Sequence, residues 1–198
     1  TAGMLICFVS MYLVIQKFLM PYIEMGEEIR FYELVYLLGV PTLFLWVIGF
    51  YGVFHCMLNV IAELARFEDR EFYLDWWSST SMSEFWRLWN RAVYKFMCRH
   101  IYLESMRQVP FFNKWWASVS TFVTTAILHE YVLAVAFGFL RPYFFTMICI
   151  QIPFVYFTDH FLEGMRLGNI VMWAGLILGF PLLQLSYTYS YFHKTGHL

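Results

Sequence analysis

The sequence predicts an all-α fold, a polytopic transmembrane helix bundle, and three observations carry that prediction. Of 198 residues, 61% are hydrophobic and only 14% charged, where a soluble domain has about a quarter charged. The surplus lies in Phe, Tyr, Trp and Met, the profile of a chain solvated by lipid. The apolar residues also gather into five runs of span-like length, separated by polar segments. The reading is of one membrane-embedded domain, residues 1–198, forming the C-terminal part of a longer chain. A cytosolic helical island is expected at about 63–114.

The first run, Leu5 to Tyr22, is broken only by Gln16 and Lys17 near its end, where a lysine can snorkel to the interface. Neither a charged n-region nor a small-residue cleavage site flanks it, so it reads as a span and not a signal peptide. An acidic loop follows, with Glu24, Glu27, Glu28 and Glu33 against Arg30. Leu34 to Ile61 carries no charge and is long enough to cross with tilt. Pro41 suits its first turn or kinks it.

Glu63 to Lys114 is the polar island. Arg66, Arg70, Arg87, Arg91, Lys95, Arg99, Arg107 and Lys114 are eight of the thirteen Lys and Arg residues. By the positive-inside rule that concentration marks the cytoplasmic side and sets the acidic loop opposite. Trp115 to Leu140 is the third run, with Glu130, beside His129, as its only charge. Arg141-Pro142 ends it. Tyr143 to Thr158 is shorter and holds Gln151 and Pro153. The polar turn "DHFLEGMRLGN" then leads into Ile170 to Phe192, the last run.

Several function classes drop out. A formal net charge of −1 argues against nucleic acid as a partner. Cys7, Cys56, Cys98 and Cys149 are scattered, with no CxxC pair and no His at ligand spacing, so neither a disulfide framework nor a metal site is expected. Asp159, His160 and Glu163 read as a solvated turn. No GxSxG, phosphate loop, dinucleotide fingerprint or HExxH is present.

Other residues need a reason. Arg87, Arg91, Lys95 and Arg99 recur every four residues, which on one continuous helix makes a basic stripe opposite Phe85, Trp89, Ala92, Val93 and Phe96. Such a stripe either meets anionic headgroups or holds the phosphates of a soluble substrate at the membrane surface. Asn90 sits between the two faces. Ser83 is half a capping signal. His129 and Glu130 lie roughly 20 Å along the third span, at about 1.5 Å per residue. Ionisable groups at that depth cost about 2.5–3.5 kcal/mol on insertion scales and normally face a cavity or a partner. Neutral imidazole in a partly dry cavity is a competent general base. A direct contact between His129 and Glu130 is not expected, because neighbours on a helix diverge by about 100°. Gln151 reads as an interhelical hydrogen-bonding residue. A proton- or ion-coupled transporter is a second class compatible with an intramembrane His–Glu pair.

"FYLDWWSS" resembles the FYxDWWN signature of the acyl-CoA-dependent branch of the membrane-bound O-acyltransferases, and "HCMLNVIAELARFEDREFY", "WRLWNRAVYKF" and "HEYVLAV" match that branch in order and spacing. The branch contains the sterol O-acyltransferases and diacylglycerol O-acyltransferases of the first type. The resemblance implies a bundle enclosing a reaction chamber, a homo-oligomer (dimer or tetramer) and a multi-pass location in the endoplasmic reticulum membrane. It implies acyl transfer from acyl-CoA, a co-substrate and not a cofactor. His129 is then the catalytic histidine and general base, with Asn90 working beside it. Acyl-CoA contacts fall on Arg87, Asn90, Tyr102, Lys114 and Thr125, and the motif on Phe72, Tyr73, Asp75, Trp76, Trp77 and Ser78. Two positions depart from the pattern. Ser78 replaces the motif's Asn, so a bond made there needs rearrangement or a water. Tyr94 replaces a His and removes one acyl-CoA contact. "RPYFF", "RHIYLESM", "LGFPLL" and Phe180 resemble the sterol enzymes more closely, so the expected acceptor is a sterol, with diacylglycerol as the alternative.

Overall fold

The computed structural model describes residues 2–21, 31–111 and 113–195, without the side chains of 31–36, 192, 193 and 195. The expected acidic loop falls largely at 22–30, outside the described residues. Every regular element among the described residues is helical, and five helical runs are long and apolar enough to cross a membrane. A chain in lipid must satisfy its backbone internally, and a helix does so within each segment. The residues gather into two compact units, Thr1–Phe72 with Ala174–Leu198, and Tyr73–Trp173.

In the first unit, α1 (Ala2–Val14) runs into a π-helical turn, Ile15–Leu19. α2 (Phe31–Phe50) carries Pro41 inside it, continues as a π-helical turn at Tyr51–Met57, and ends as α3 (Leu58–Leu64). Pro41 therefore lies within the helix and not in its first turn. Small residues let α1 approach the turn closely. A Cβ on Gly3 would stand 3.2 Å from the Cys56 sulfur, and one on Gly52 3.3 Å from the Cys7 Cβ. This is how helices pack in lipid, where close backbone approach replaces hydrophobic driving force. Leu19, Leu38, Leu45 and Leu185 form the buried centre of the unit, and Trp46 packs on Phe180 with ring centroids 4.3 Å apart.

The second unit contains the island and a helical hairpin. A 3-10 turn (Trp76–Ser78) precedes α4 (Met82–Trp89) and α5 (Arg91–Met97). A π-helical turn (Cys98–Tyr102) then leads to α6 (Leu103–Gln108). The hairpin is α7 (Lys114–Phe137) and α8 (Tyr143–Phe161). α7 stops at Gly138, whose φ of 68° is left-handed and costs a residue without Cβ nothing. α9 (Arg166–Thr195) starts here and extends into the first unit's residues.

Three sequence expectations change in this unit. The basic stripe does not lie on one helix. Asn90, at φ −141° and ψ 85°, ends α4 and caps α5, so Arg87 and Arg91 belong to different helices. The polar turn is shorter than the sequence implied, since α8 runs on through Asp159 to Phe161 and α9 opens at Arg166. Asp159 is thereby a helix residue whose carboxylate accepts from the Ser83 amide at 3.4 Å, not part of a solvated turn. The cap of α4 is Ser81, not Ser83, and its hydroxyl accepts from the Glu84 amide. Glu84 reaches back to the amide and hydroxyl of Thr80, a displaced form of the capping box.

Long-range bonds tie the island to the turn between α8 and α9. The Met82 amide donates to the buried Thr158 hydroxyl at 3.1 Å, and the Gly164 amide to the Thr80 hydroxyl at 3.0 Å. Asn169 Nδ2 donates to the carbonyls of Trp77 and Ser79, both at 2.9 Å, and Trp173 Nε1 to Trp77 at 3.0 Å. Gly168 is required there. A Cβ would collide with the carbonyl oxygens of Thr80 and Leu162. Trp76, 4% exposed, forms the apolar centre, set edge-on to Phe85 and Trp89.

Candidate active site

The motif residues divide between this dock and the surface. Trp76 is buried, Phe72 and Tyr73 are half-buried, and Asp75, Trp77 and Ser78 are exposed. The Ser78 hydroxyl donates to the Asp75 carbonyl at 2.7 Å and closes the 3-10 turn. Tyr94 is exposed on α5.

α7 carries the residues with chemical potential. Asn113 caps it by accepting from the Trp116 amide at 3.1 Å, which leaves Lys114 exposed at its first position. Ser118, Thr121 and Thr124 each donate their hydroxyls to the carbonyl four residues earlier, the usual way a helix in lipid satisfies hydroxyls. Thr125 differs. Its hydroxyl makes no hydrogen bond among the described residues, and its carbonyl is taken by a side chain.

That side chain is His129, whose Nδ1 lies 2.8 Å from the Thr125 carbonyl oxygen. A carbonyl only accepts, so Nδ1 carries the proton in this contact, which leaves Nε2 as the nitrogen turned away from the backbone. The ring lies flat on Phe144 of α8, with centroids 4.7 Å apart and planes 1° from parallel. One bond and one stack thus fix the imidazole in position and in tautomer. Its residue is exposed, so the enclosed reaction chamber expected around it is not formed by the described residues.

Glu130, 5% exposed, points elsewhere, as its position next to His129 on a helix dictates. Its carboxylate accepts from the Phe145 amide at 3.0 Å. Phe145 is in the first turn of α8, where amides lack intrahelical partners. Nothing in the local sequence signals this bond, because the partner sits on the next helix. Glu130 also lines an open apolar cleft of about 710 Å3 with Tyr131, Ala134, Phe139 and Phe145. A second cleft of about 280 Å3 lies between α7 and α8 at the Trp115 end, lined by Ser118, Phe122, Tyr156, Asp159 and His160. His129 lines neither.

Asn90 commits its Oδ1 to the Val93 amide at 3.1 Å, and its NH2 group makes no hydrogen bond among the described residues. No hydrogen bond or ring contact joins Asn90 to His129 among the described residues. Arg87 is exposed and sits 3.9 Å from Glu84, too loose and too solvated a pair to hold it. Tyr102 is half-buried in a turn that packs against α7, and a hydroxyl contact of 3.1 Å between Ser105 and Ser120 fastens the next helix there. Gln151 does not make the expected interhelical bond: its Oε1 is buried without a hydrogen-bond partner among the described residues. Among those residues, no group of three or more His, Cys, Asp or Glu stands where a metal ion could be held.

A sequence profile described as MBOAT, membrane-bound O-acyltransferase family, matches residues 3–189. Relatives include a protein named diacylglycerol O-acyltransferase 1 from Homo sapiens, 39% identical over 178 residues that cover 90% of this chain and 36% of the relative. Its namesake from Arabidopsis thaliana is 37% identical over 177 residues, 87% of this chain and 34% of the relative. That of Dictyostelium discoideum is 38% identical over 165 residues, 83% of this chain and 26% of the relative. The chain spans about a third of the length of the human and Arabidopsis relatives.

Proposed function

The chain belongs to the membrane-bound O-acyltransferase family, and from that premise we propose that it is the part of an acyl-CoA-dependent enzyme that transfers an acyl group to the free hydroxyl of diacylglycerol, with His129 as general base. The observation that carries the proposal is the contact of His129 Nδ1 with the Thr125 carbonyl, which presents Nε2 as a proton acceptor. The motif likeness had favoured a sterol acceptor. The names of the relatives support a glyceride instead.

In this reading Nε2 takes the proton of the acceptor hydroxyl as its oxygen attacks the thioester carbonyl carbon. The carbon–sulfur bond then breaks, and the proton passes from imidazolium to the departing thiolate. A positioned base of this kind contributes about 10²–10⁴-fold. Asn90 supports the developing oxyanion through the NH2 group its cap leaves free. Arg87 and Lys114, exposed cations of the island end, attract the phosphates of the nucleotide portion, with Tyr102 and Thr125 completing the acyl-CoA contacts. The acceptor reaches the site from the bilayer. The two compact units act as one acyltransferase domain, in an oligomer of the endoplasmic reticulum membrane.

The test is to incubate membranes holding the protein with radiolabelled acyl-CoA and, separately, diacylglycerol, cholesterol or ergosterol. Labelled triacylglycerol, lost on His129→Ala, is the expected product. Labelled steryl ester would return the acceptor to a sterol, and turnover surviving His129→Ala would remove the base.

A further inference from the structure

His129 owes its orientation to α8 as much as to α7. Its imidazole stacks on Phe144, coplanar to within 1° at 4.7 Å. Phe144 is the second residue of α8 and Phe145 the third. Such first-turn positions fray unless an acceptor holds their amides. The acceptor is the buried Glu130 carboxylate, 3.0 Å from the Phe145 nitrogen. Pro142, which precedes α8, makes no side-chain cap of its own, so this carboxylate from the neighbouring helix stands in for one. An anion there also suits the positive end of the helix dipole.

We propose that Glu130 is a positioning residue for His129. By holding the N-terminus of α8 against α7, it keeps the Phe144 ring flat on the imidazole and Nε2 aimed at one place. Glu130 thus acts on its chain neighbour by a route through the next helix, which explains how two adjacent residues pointing in different directions serve one site. This rests on His129 being the base. The capping role needs an oxygen acceptor and not a charge, so glutamine is its conservative replacement.

Full-length protein in its membrane is assayed with acyl-CoA and diacylglycerol, and His129 carbethoxylation by diethyl pyrocarbonate is followed by mass spectrometry. Glu130→Ala is expected to lower kcat about tenfold or more, with acyl-CoA KM within about twofold. It should also change the His129 labelling rate several-fold. Glu130→Gln should recover most of both. Phe144→Leu, which leaves the cap in place, should alter labelling and kcat in the same direction, so that misfolding of the alanine variant cannot decide the matter. A labelling rate unchanged in Glu130→Ala and Phe144→Leu overturns the proposal, as does a glutamine variant as impaired as the alanine one. The labelling readout does not depend on turnover. Full activity in His129→Ala would instead defeat the base assignment and leave the labelling result standing.

Discussion

The dock around Trp77 and the site around His129 belong to the same compact unit, yet they spend their polar groups in opposite ways. At the dock, Asn169, Trp173, Thr80, Thr158, Asp159 and Glu84 are all engaged in bonds that fix the island to the turn before α9. On α7 and at the break between α4 and α5, His129 keeps Nε2 and Asn90 its NH2 group unspent among the described residues, while their other polar ends are locked by Thr125 and Val93. The difference teaches where to look for chemistry in a polar, aromatic stretch of a membrane protein. A network whose side chains are bonded to distant partners specifies geometry. A side chain anchored at one end and free at the other is prepared to act.

Substitutions on each side of the comparison should have different signatures. The largest effect is expected of His129→Ala, which removes the unspent nitrogen: a loss of about 10²–10⁴ in kcat with the protein still folded, read by acyl transfer alongside thermal unfolding. A parallel loss of folding would place His129 among the dock-like residues. Asn90→Asp comes next. The carboxylate still caps α5, but the donor is gone, so kcat should fall about 10²–10³-fold with helicity by circular dichroism unchanged. Wild-type turnover in that variant would confine Asn90 to capping.

Gly168→Ala attacks the dock. The added methyl meets two carbonyl oxygens, and such overpacking costs about 1–3 kcal/mol. A lower unfolding midpoint with kcat per folded molecule preserved is the expected pattern. An unshifted midpoint would show that the turn yields easily. The smallest effect is expected of Arg87→Ala, whose exposed side chain is only loosely paired. A rise of a few-fold in acyl-CoA KM with kcat little changed marks lost substrate attraction. Unaltered KM would assign this cation to lipid headgroups.

Much of the architecture was legible in the residues themselves. Hydropathy is a local sum, and lipid forces each apolar run into a self-satisfied helix, so five spans and a polar island could be read before any contact was known. The FYLDWW and HEY stretches carried the family likeness, because residue type and spacing survive in a linear string. The candidate residues His129 and Asn90 were likewise visible. Their hydrogen-bond commitments were not.

Those commitments needed the third dimension. The break at Asn90 follows from an amide that caps a helix instead of continuing one, a choice that a four-residue repeat of cations conceals. The S-x-x-E spacing at Ser81 and Glu84 was present in the string, but the apolar run it should precede was obscured by the aromatic island. Asp159 read as a turn because its partner, Ser83, is 76 residues away, and the bond of Thr158 to Met82 spans the same distance. The same holds for Asn169, 92 residues from Trp77. Sequence alone therefore determined which segments are long and apolar enough to cross a membrane as helices, since that follows from each residue's own solvation. Only the tertiary structure decided which polar atoms are consumed and which remain available, because a hydrogen bond is a property of two groups and the second one lies elsewhere in the chain.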